Sequence, residues 1–249
     1  MNDFSHKSIT QYIFENTIWD NQHLDEYCLL PDQDENQRCF SAHFYNPVTG
    51  QCYRKSYDSA KNRFIYWIGK FIISNHIPFL GRAVHYLEDI CTPVHTQYQD
   101  SFDAVYRANL HVEFEKGLDD FITENGIEMS EHFPEQISTL DRLIEYCAIK
   151  SSKIYYQYRD LSVLEGSFLQ TCQNACKSLI NLIEMLPKLQ AQIIPYHDSE
   201  IVVVKSDYDF LAAILDFNIA LKTVDHKISV FERTSEIKNF EFKEIIDEF

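Results

Sequence analysis

Apolar residues recur at helical intervals along most of the chain. Between positions 4 and 18, Ile9, Tyr12, Ile13 and Phe14 share one face and predict a first helix. From Asp58 to Ile73, Phe64, Ile65, Trp67, Ile68, Phe71 and Ile72 make a segment apolar nearly all round, the pattern of a buried helix. Asp58 or Ser59 is placed to cap it. Pro78 marks the break before a helix over about 79–90, and Pro93 ends that one. The next is predicted over about 102–124, with Asn125–Gly126 at its end. Pro134 opens another at its first position, running to about 158. Residues 162–185 follow as a helix stopped by Pro187.

Two regions break this rhythm. Residues 21–57 hold the early turn signals Pro31–Asp32, Asn46–Pro47 and Thr49–Gly50, and read as a long, polar, aromatic-dotted loop. Loops of that length in compact domains are functional or disordered, and the aromatic content argues against disorder. Something other than regular pairing must hold it, and metal ligation would serve. Residues 191–205 carry β-branched runs and predict a strand pair or extended crossover. Residues 207–224 read as helical, and the acidic amphipathic end of the 229–249 tail as a frayed helix. The expectation is an all-α fold: one compact multi-helix domain over 1–249, with a short extended segment near 191–205 and a helical extension over 187–249.

Composition supports helices, with six glycines and seven prolines in 249 residues. The net charge of −16 disfavours bulk capture of nucleic acid or an anionic membrane. It leaves room for a local cationic site built on metal ions. Seven cysteines at irregular spacing are not a disulfide framework; Cys172 and Cys176, four apart on a helix, could share a metal but read first as small core residues. No run approaches eighteen apolar residues, and the start MNDFSHKSITQ lacks the pattern of a secretory signal. The expectation is a chain that stays inside, leaves by another route, or lost an export segment before this numbering.

The chemistry concentrates between Leu80 and Lys116, in the pattern H-x3-D-x5-H-x15-H-x3-E formed by His85, Asp89, His95, His111 and Glu115. His85/Asp89 and His111/Glu115 are each four apart, which sets both side chains on one helical face. Imidazole nitrogens and carboxylate oxygens converging on one point suit a zinc ion. Helix-rich chains also show such pairs by chance, so spacing alone leaves a metal site and a solvated face both open.

The motif His85-Tyr86-x-x-Asp89-Ile90-x-Thr92-Pro93-x-His95, followed by His111-x-x-Phe114-Glu115, resembles the signature of the bacterial zinc-dependent phospholipase C family. The family includes phosphatidylcholine-preferring enzymes and the catalytic domain of the alpha-toxin haemolysins. His43-Phe44-Tyr45-Asn46-Pro47-Val48-Thr49-Gly50 resembles its H-F-[YW]-D-P-D-T-G block. Pro31–Asp32 stands eleven residues before His43, like the family's P-D ligand, and Ser5-His6-x-x-Ile9-Thr10 resembles its T-H-x-x-[IV]. The blocks keep the family's order and span 5–115.

The resemblance implies three zinc ions. Asp32, His43, His85 and Asp89 would hold the first, and His95, His111 and Glu115 the second. The third would share Asp89 and take His6 with the amine and carbonyl of Met1. Asp32 resembles the family's general base. Phe40 matches an aromatic lining the headgroup pocket. The implied substrate is a phospholipid at a peripheral membrane surface, cleaved to diacylglycerol and a phosphorylated headgroup by water activated with zinc. The implied state is a monomer with no nucleic-acid partner, and the family is usually secreted. No role falls to His23, His76, His132, His197 or His226.

The match departs in three places. The family begins with a tryptophan whose amine binds zinc, whereas here Met1 is five residues ahead of His6. Asn46 and Val48 replace two aspartates, removing hydrogen-bond acceptors around the ligands. Gln33 stands where the family has an aromatic headgroup contact, which bears on phosphatidylcholine preference. One rival is the single-strand-specific zinc nuclease and 3'-nucleotidase group, where His6 fits the N-terminal spacing; the −16 charge offers a polynucleotide no basic track. Another is a non-catalytic zinc-stabilised helical effector, which would need only four ligands.

Overall fold

The computed structural model describes residues 1–34, 40–52, 58–96, 104–129, 137–161, 164–216, 219–224, 227–233 and 240–246. The helices are α1 (Asp3–Phe14), α2 (Leu24–Tyr27), α3 (Leu30–Asp34), α4 (Ala60–Ser74), α5 (Ile77–Ile90), α6 (Ala104–Asn125), α7 (Leu140–Leu161) and α8 (Leu164–Met185). The strands are β1 (Gln190–Tyr196), β2 (Ser199–Lys205), β3 (Phe210–Ala213), β4 (Ile219–Val224), β5 (Lys227–Arg233) and β6 (Phe240–Ile246). The fold is therefore mostly helical with two small antiparallel sheets, ordered β1-β2-β3 and β4-β5-β6, rather than all-α.

The two helices read as most apolar form the centre. Ser59 caps α4, its hydroxyl accepting from the Asn62 amide at 3.3 Å. Asn75, at φ 52°, ends it in the left-handed conformation that asparagine tolerates. Two residues later α5 begins, with Pro78 in its first turn, where a missing N–H costs nothing. From Leu80 to Ile90 every residue of α5 except Arg82 is buried. It is surrounded by other elements, so its His85, Glu88 and Asp89 sit in the interior.

α5 and α2 meet backbone to backbone. A Cβ on Gly81 would fall 2.7 Å from the Tyr27 carbonyl carbon and 2.9 Å from its oxygen. Gly69 of α4 makes a similar approach to β2, where an added Cβ would overlap Val202 and lie 3.0 Å from Val204 Cγ2.

β2 is buried on both faces. Val202 and Val204 join the main core with α4 and α5, while Ile201 and Val203 join a second core with Ile228 and Val230 of β5. Side chains alternate along a strand, so one IVVV run serves both cores. The extended segment expected at 191–205 is the hairpin β1–β2, turning at His197, φ 50°.

The helical readings beyond it are overturned. Residues 207–224 hold β3 and β4, and the tail holds β6, which pairs with β5 from Lys227↔Ile246 to Arg233↔Phe240. The sequence there carries good helix formers, but pairing to β2 and β5 satisfies the backbone, and context overrides propensity. The first helix is shorter than expected, ending at Phe14, with Asn16 at φ 70° behind it. Pro134, expected to open a helix, lies outside the described residues, where α7 begins at Leu140. The six described cysteines, Cys172 and Cys176 among them, are buried and free. Among the described residues no helix is long and apolar enough to cross a membrane.

Candidate metal centre

Each element delivers its residues for a local reason. α1 presents Ser5, His6, Ile9, Thr10 and Ile13 on its buried face, at helical spacing. Its start is tied to α6, because Asn2 Nδ2 donates to Asp119 Oδ2 at 2.9 Å and Ser5 Oγ bonds Asp119 Oδ1. α3 carries Asp32. A 3₁₀ turn over Phe40–His43 brings in His43, and the next two residues fix it: Tyr45 N donates to the His95 carbonyl at 3.0 Å, and Ala60 N to the Phe44 carbonyl at 3.1 Å. The Pro93–His95 turn follows α5 directly, anchored by Thr92 Oγ1 donating to the Glu88 carbonyl at 2.9 Å. α6 supplies His111 and Glu115 one turn apart, Nε2 to Oε1 at 2.9 Å.

Asp89 stands in the middle, and its two oxygens face different partners. Oδ1 is 2.9 Å from His95 Nδ1, 3.2 Å from the Met1 amine and 3.6 Å from His6 Nε2. Oδ2 is 2.8 Å from His43 Nδ1 and 3.2 Å from His85 Nε2. Asp32 Oδ1 closes the Oδ2 side at 3.7 Å from His43 Nε2 and 3.8 Å from His85 Nε2. His95 Nε2 meets His111 Nε2 at 3.0 Å and Glu115 Oε1 at 3.2 Å, and the Met1 amine lies 3.1 Å from that same oxygen. All the residues expected as ligands — Met1, His6, Asp32, His43, His85, Asp89, His95, His111 and Glu115 — are thus brought together. Asp32 is the most open, 37% exposed, while His6, His85 and Asp89 are essentially sealed. The Phe40 side chain lies outside the described residues, as do His132 and His226. His23, His76 and His197 are exposed and away from the centre's ligand groups.

Protonation follows from burial and charge. Burial penalises the Asp89 carboxylate, but His95, the Met1 amine and His85, with the hydrogen bond from His43, outweigh it and hold the acid well below the usual range. Glu115 is lowered in the same way by the Met1 amine, His111 and His95. Burial, then His85 and the Met1 amine, push the His6 imidazole down, and burial does the same to His111. Burial also works against charge on the Met1 amine, but Glu115, Asp89 and Asp32 raise it to about 11. Ionised carboxylates and neutral imidazoles are the forms that ligate metals, and the Met1 amine must release its proton to join them.

Do these residues fit metal ions? Three groups bring their ligand atoms within 4.8 Å of one another: His6/His85/Asp89, Asp32/His43/His85 and His95/His111/Glu115. Donor atoms on a tetrahedral zinc stand about 3.3 Å apart, given Zn–N and Zn–O bonds of about 2.0–2.1 Å. The separations here, from 2.8 to 3.8 Å, bracket that value. Two pairs of ring nitrogens face each other at 3.0 Å, His43/His85 and His95/His111. His6 Nε2 is sealed from water with no hydrogen-bond partner, which is costly for a polar atom unless something else binds it. The centre is compatible with metal binding on these grounds.

Sequence reasoning missed Glu88. It is fully buried next to Asp89, with His6 Nδ1 at 2.5 Å from Oε2 and Thr10 Oγ1 donating to Oε1 at 3.0 Å. Burial, with the neighbouring Asp89 charge, pushes its carboxyl up. The signal was present: an acid inside the apolar run LGRAVHYLEDI must find a partner.

No family model matches the sequence, and no curated protein matches it. Solved structures do. The fold is similar to that of alpha toxin from Clostridium absonum, with a TM-score of 0.54 and 13% identity over 98% of this chain and 80% of that one. The alpha toxin of a Clostridium perfringens avian strain aligns at TM-score 0.49 and 14% identity, over 97% of this chain and 95% of that one. The first likeness establishes a shared fold.

Proposed function

We propose that this chain is a zinc-dependent phosphodiester hydrolase, and specifically a phospholipase C. The observation that carries the reading is the convergence around Asp89 and His85 of four separate motif blocks, ordered as in the zinc-dependent phospholipase C family. Asp32, His43, His85 and Asp89 would hold one zinc ion, and His95, His111 and Glu115 a second. His6, the Met1 amine and Asp89 would hold a third. Bound there, zinc supplies positive charge for the phosphoryl oxygens and lowers the pKa of water.

The chain's own residues do the rest. Asp32 is the acid that solvent reaches, so it takes the proton from attacking water. Asp89, ionised and bonded through both oxygens, fixes the two sides of the centre relative to each other. Phe44, 4.8 Å from the His95 ring and 5.7 Å from His111, packs over those imidazoles and restricts their rotation. The substrate class is a phospholipid at a membrane surface. Val48 and Val112, in the same segments as His43 and His111, leave apolar side chains exposed, 87% and 65%, which suits lipid contact. The −16 charge argues against a polynucleotide.

The test is turnover of p-nitrophenyl-phosphorylcholine and of phospholipid vesicles against single-stranded DNA. Hydrolysis of the first two supports the reading, and preference for DNA replaces it with the nuclease one. No turnover of any by zinc-loaded protein favours a non-catalytic effector.

A further inference from the structure

α5 is apolar on nearly every face, yet two adjacent acids, Glu88 and Asp89, lie in its buried length. They divide one imidazole between them. His6 Nδ1 meets Glu88 Oε2 at 2.5 Å, and His6 Nε2 points toward Asp89 Oδ1 at 3.6 Å. The second distance is too long for a hydrogen bond, and Nε2 has no other partner. The ring is also stacked on His85, centroids 4.1 Å apart at 21°. Glu88's other oxygen is taken by Thr10, one turn after His6 on α1. Glu88 belongs to none of the groups whose atoms could share an ion.

We infer that Glu88 is the positioning residue for His6. In its ionised form, which the Thr10 hydrogen bond favours against burial, it accepts the Nδ1 proton and thereby keeps the Nε2 lone pair free and aimed at the Asp89 side of the centre. A neutral imidazole has one N–H and one lone pair, and the bond at one nitrogen dictates which atom carries which. Carboxylates behind metal-ligating histidines act in this way. The inference rests on the zinc reading proposed above and adds a residue to it. Thr10 donates to the carboxylate's other oxygen, so the device is a chain Thr10–Glu88–His6 running from α1 to α5 and back.

The experiment uses the full chain with Glu88→Gln, and titrates zinc from buffered free-metal solutions. Glu88→Gln keeps volume and hydrogen-bonding capacity but weakens the acceptor. The expected result is a loss of roughly 10–100-fold in affinity for one zinc per chain, with the other sites unchanged. A second measurement does not depend on the variant folding or on metal: nitrogen-15 NMR of His6 in the metal-free wild-type protein. It should show the Nδ1–H tautomer. A proton on Nε2 in the wild type, or zinc affinities equal in wild type and Glu88→Gln, overturns the inference alone. Failure of the wild type to bind zinc overturns the inference together with the proposed function.

Discussion

Gly81 lies against the backbone of Tyr27, so close that any Cβ would sit 2.7 Å from the Tyr27 carbonyl carbon. Gly81 is one turn ahead of His85 on α5, and Tyr27 ends α2 just before the short helix bearing Asp32. The contact therefore sets how near Asp32 comes to His85. Gly81→Ala forces the two backbones apart, and overpacking of this kind costs about 1–3 kcal/mol. The expected outcome is a lower Tm with a larger proportional loss of turnover, because the 3.8 Å Asp32–His85 separation grows. A drop in Tm with turnover unchanged would separate this contact from the centre.

Asp32→Asn should leave the fold intact, since the side chain is 37% exposed and α3 packs against α5. Turnover of p-nitrophenyl-phosphorylcholine should fall by about 10²–10⁴ if Asp32 transfers the proton. A fall of less than about tenfold would assign that role elsewhere.

The Met1 amine lies at the centre, 3.2 Å from Asp89 and 3.1 Å from Glu115. Adding Gly-Ser ahead of Met1 converts the amine to an amide and moves the charge away. Metal analysis should then find about one zinc fewer per chain than in the unextended protein.

A pH effect is expected far from the centre. Glu200 on β2 accepts from Lys70 at 2.7 Å and from Tyr66 at 2.5 Å. Burial alone would raise its carboxyl, but these bonds outweigh it and hold the acid below its ordinary value near 4.5. A depressed folded-state pKa adds stability above the unfolded value, and that stability is lost as pH falls through the folded one. The pair is partly exposed, so the gain is at most about 1 kcal/mol. The Tm difference between wild type and Glu200→Gln should therefore be present at pH 7, begin to shrink near pH 4.5 and vanish only as the pH falls through the lower folded-state value, as differential scanning fluorimetry can show.

The parts of the molecule legible in its sequence share a physical cause. α4 and α5 are buried helices, and burial leaves an apolar signature that needs no partner to be read. The centre was legible because metal ligands need particular side chains at particular spacings, as in His85/Asp89 and His111/Glu115. The strands β3, β4 and β6 were not, because FLAA, IALKTV and FEFKEII form strands only when β2 and β5 supply partners. Glu88 was hidden for a different reason. Its meaning lies in a contact with His6, eighty-two positions away, which local spacing does not report.

Metal content tests the proposed centre most directly. Protein purified without chelators and passed through gel filtration should carry about three zinc ions per chain by plasma mass spectrometry, as the three ligand groups predict. Less than about one zinc per chain, in protein shown to be folded, would contradict it.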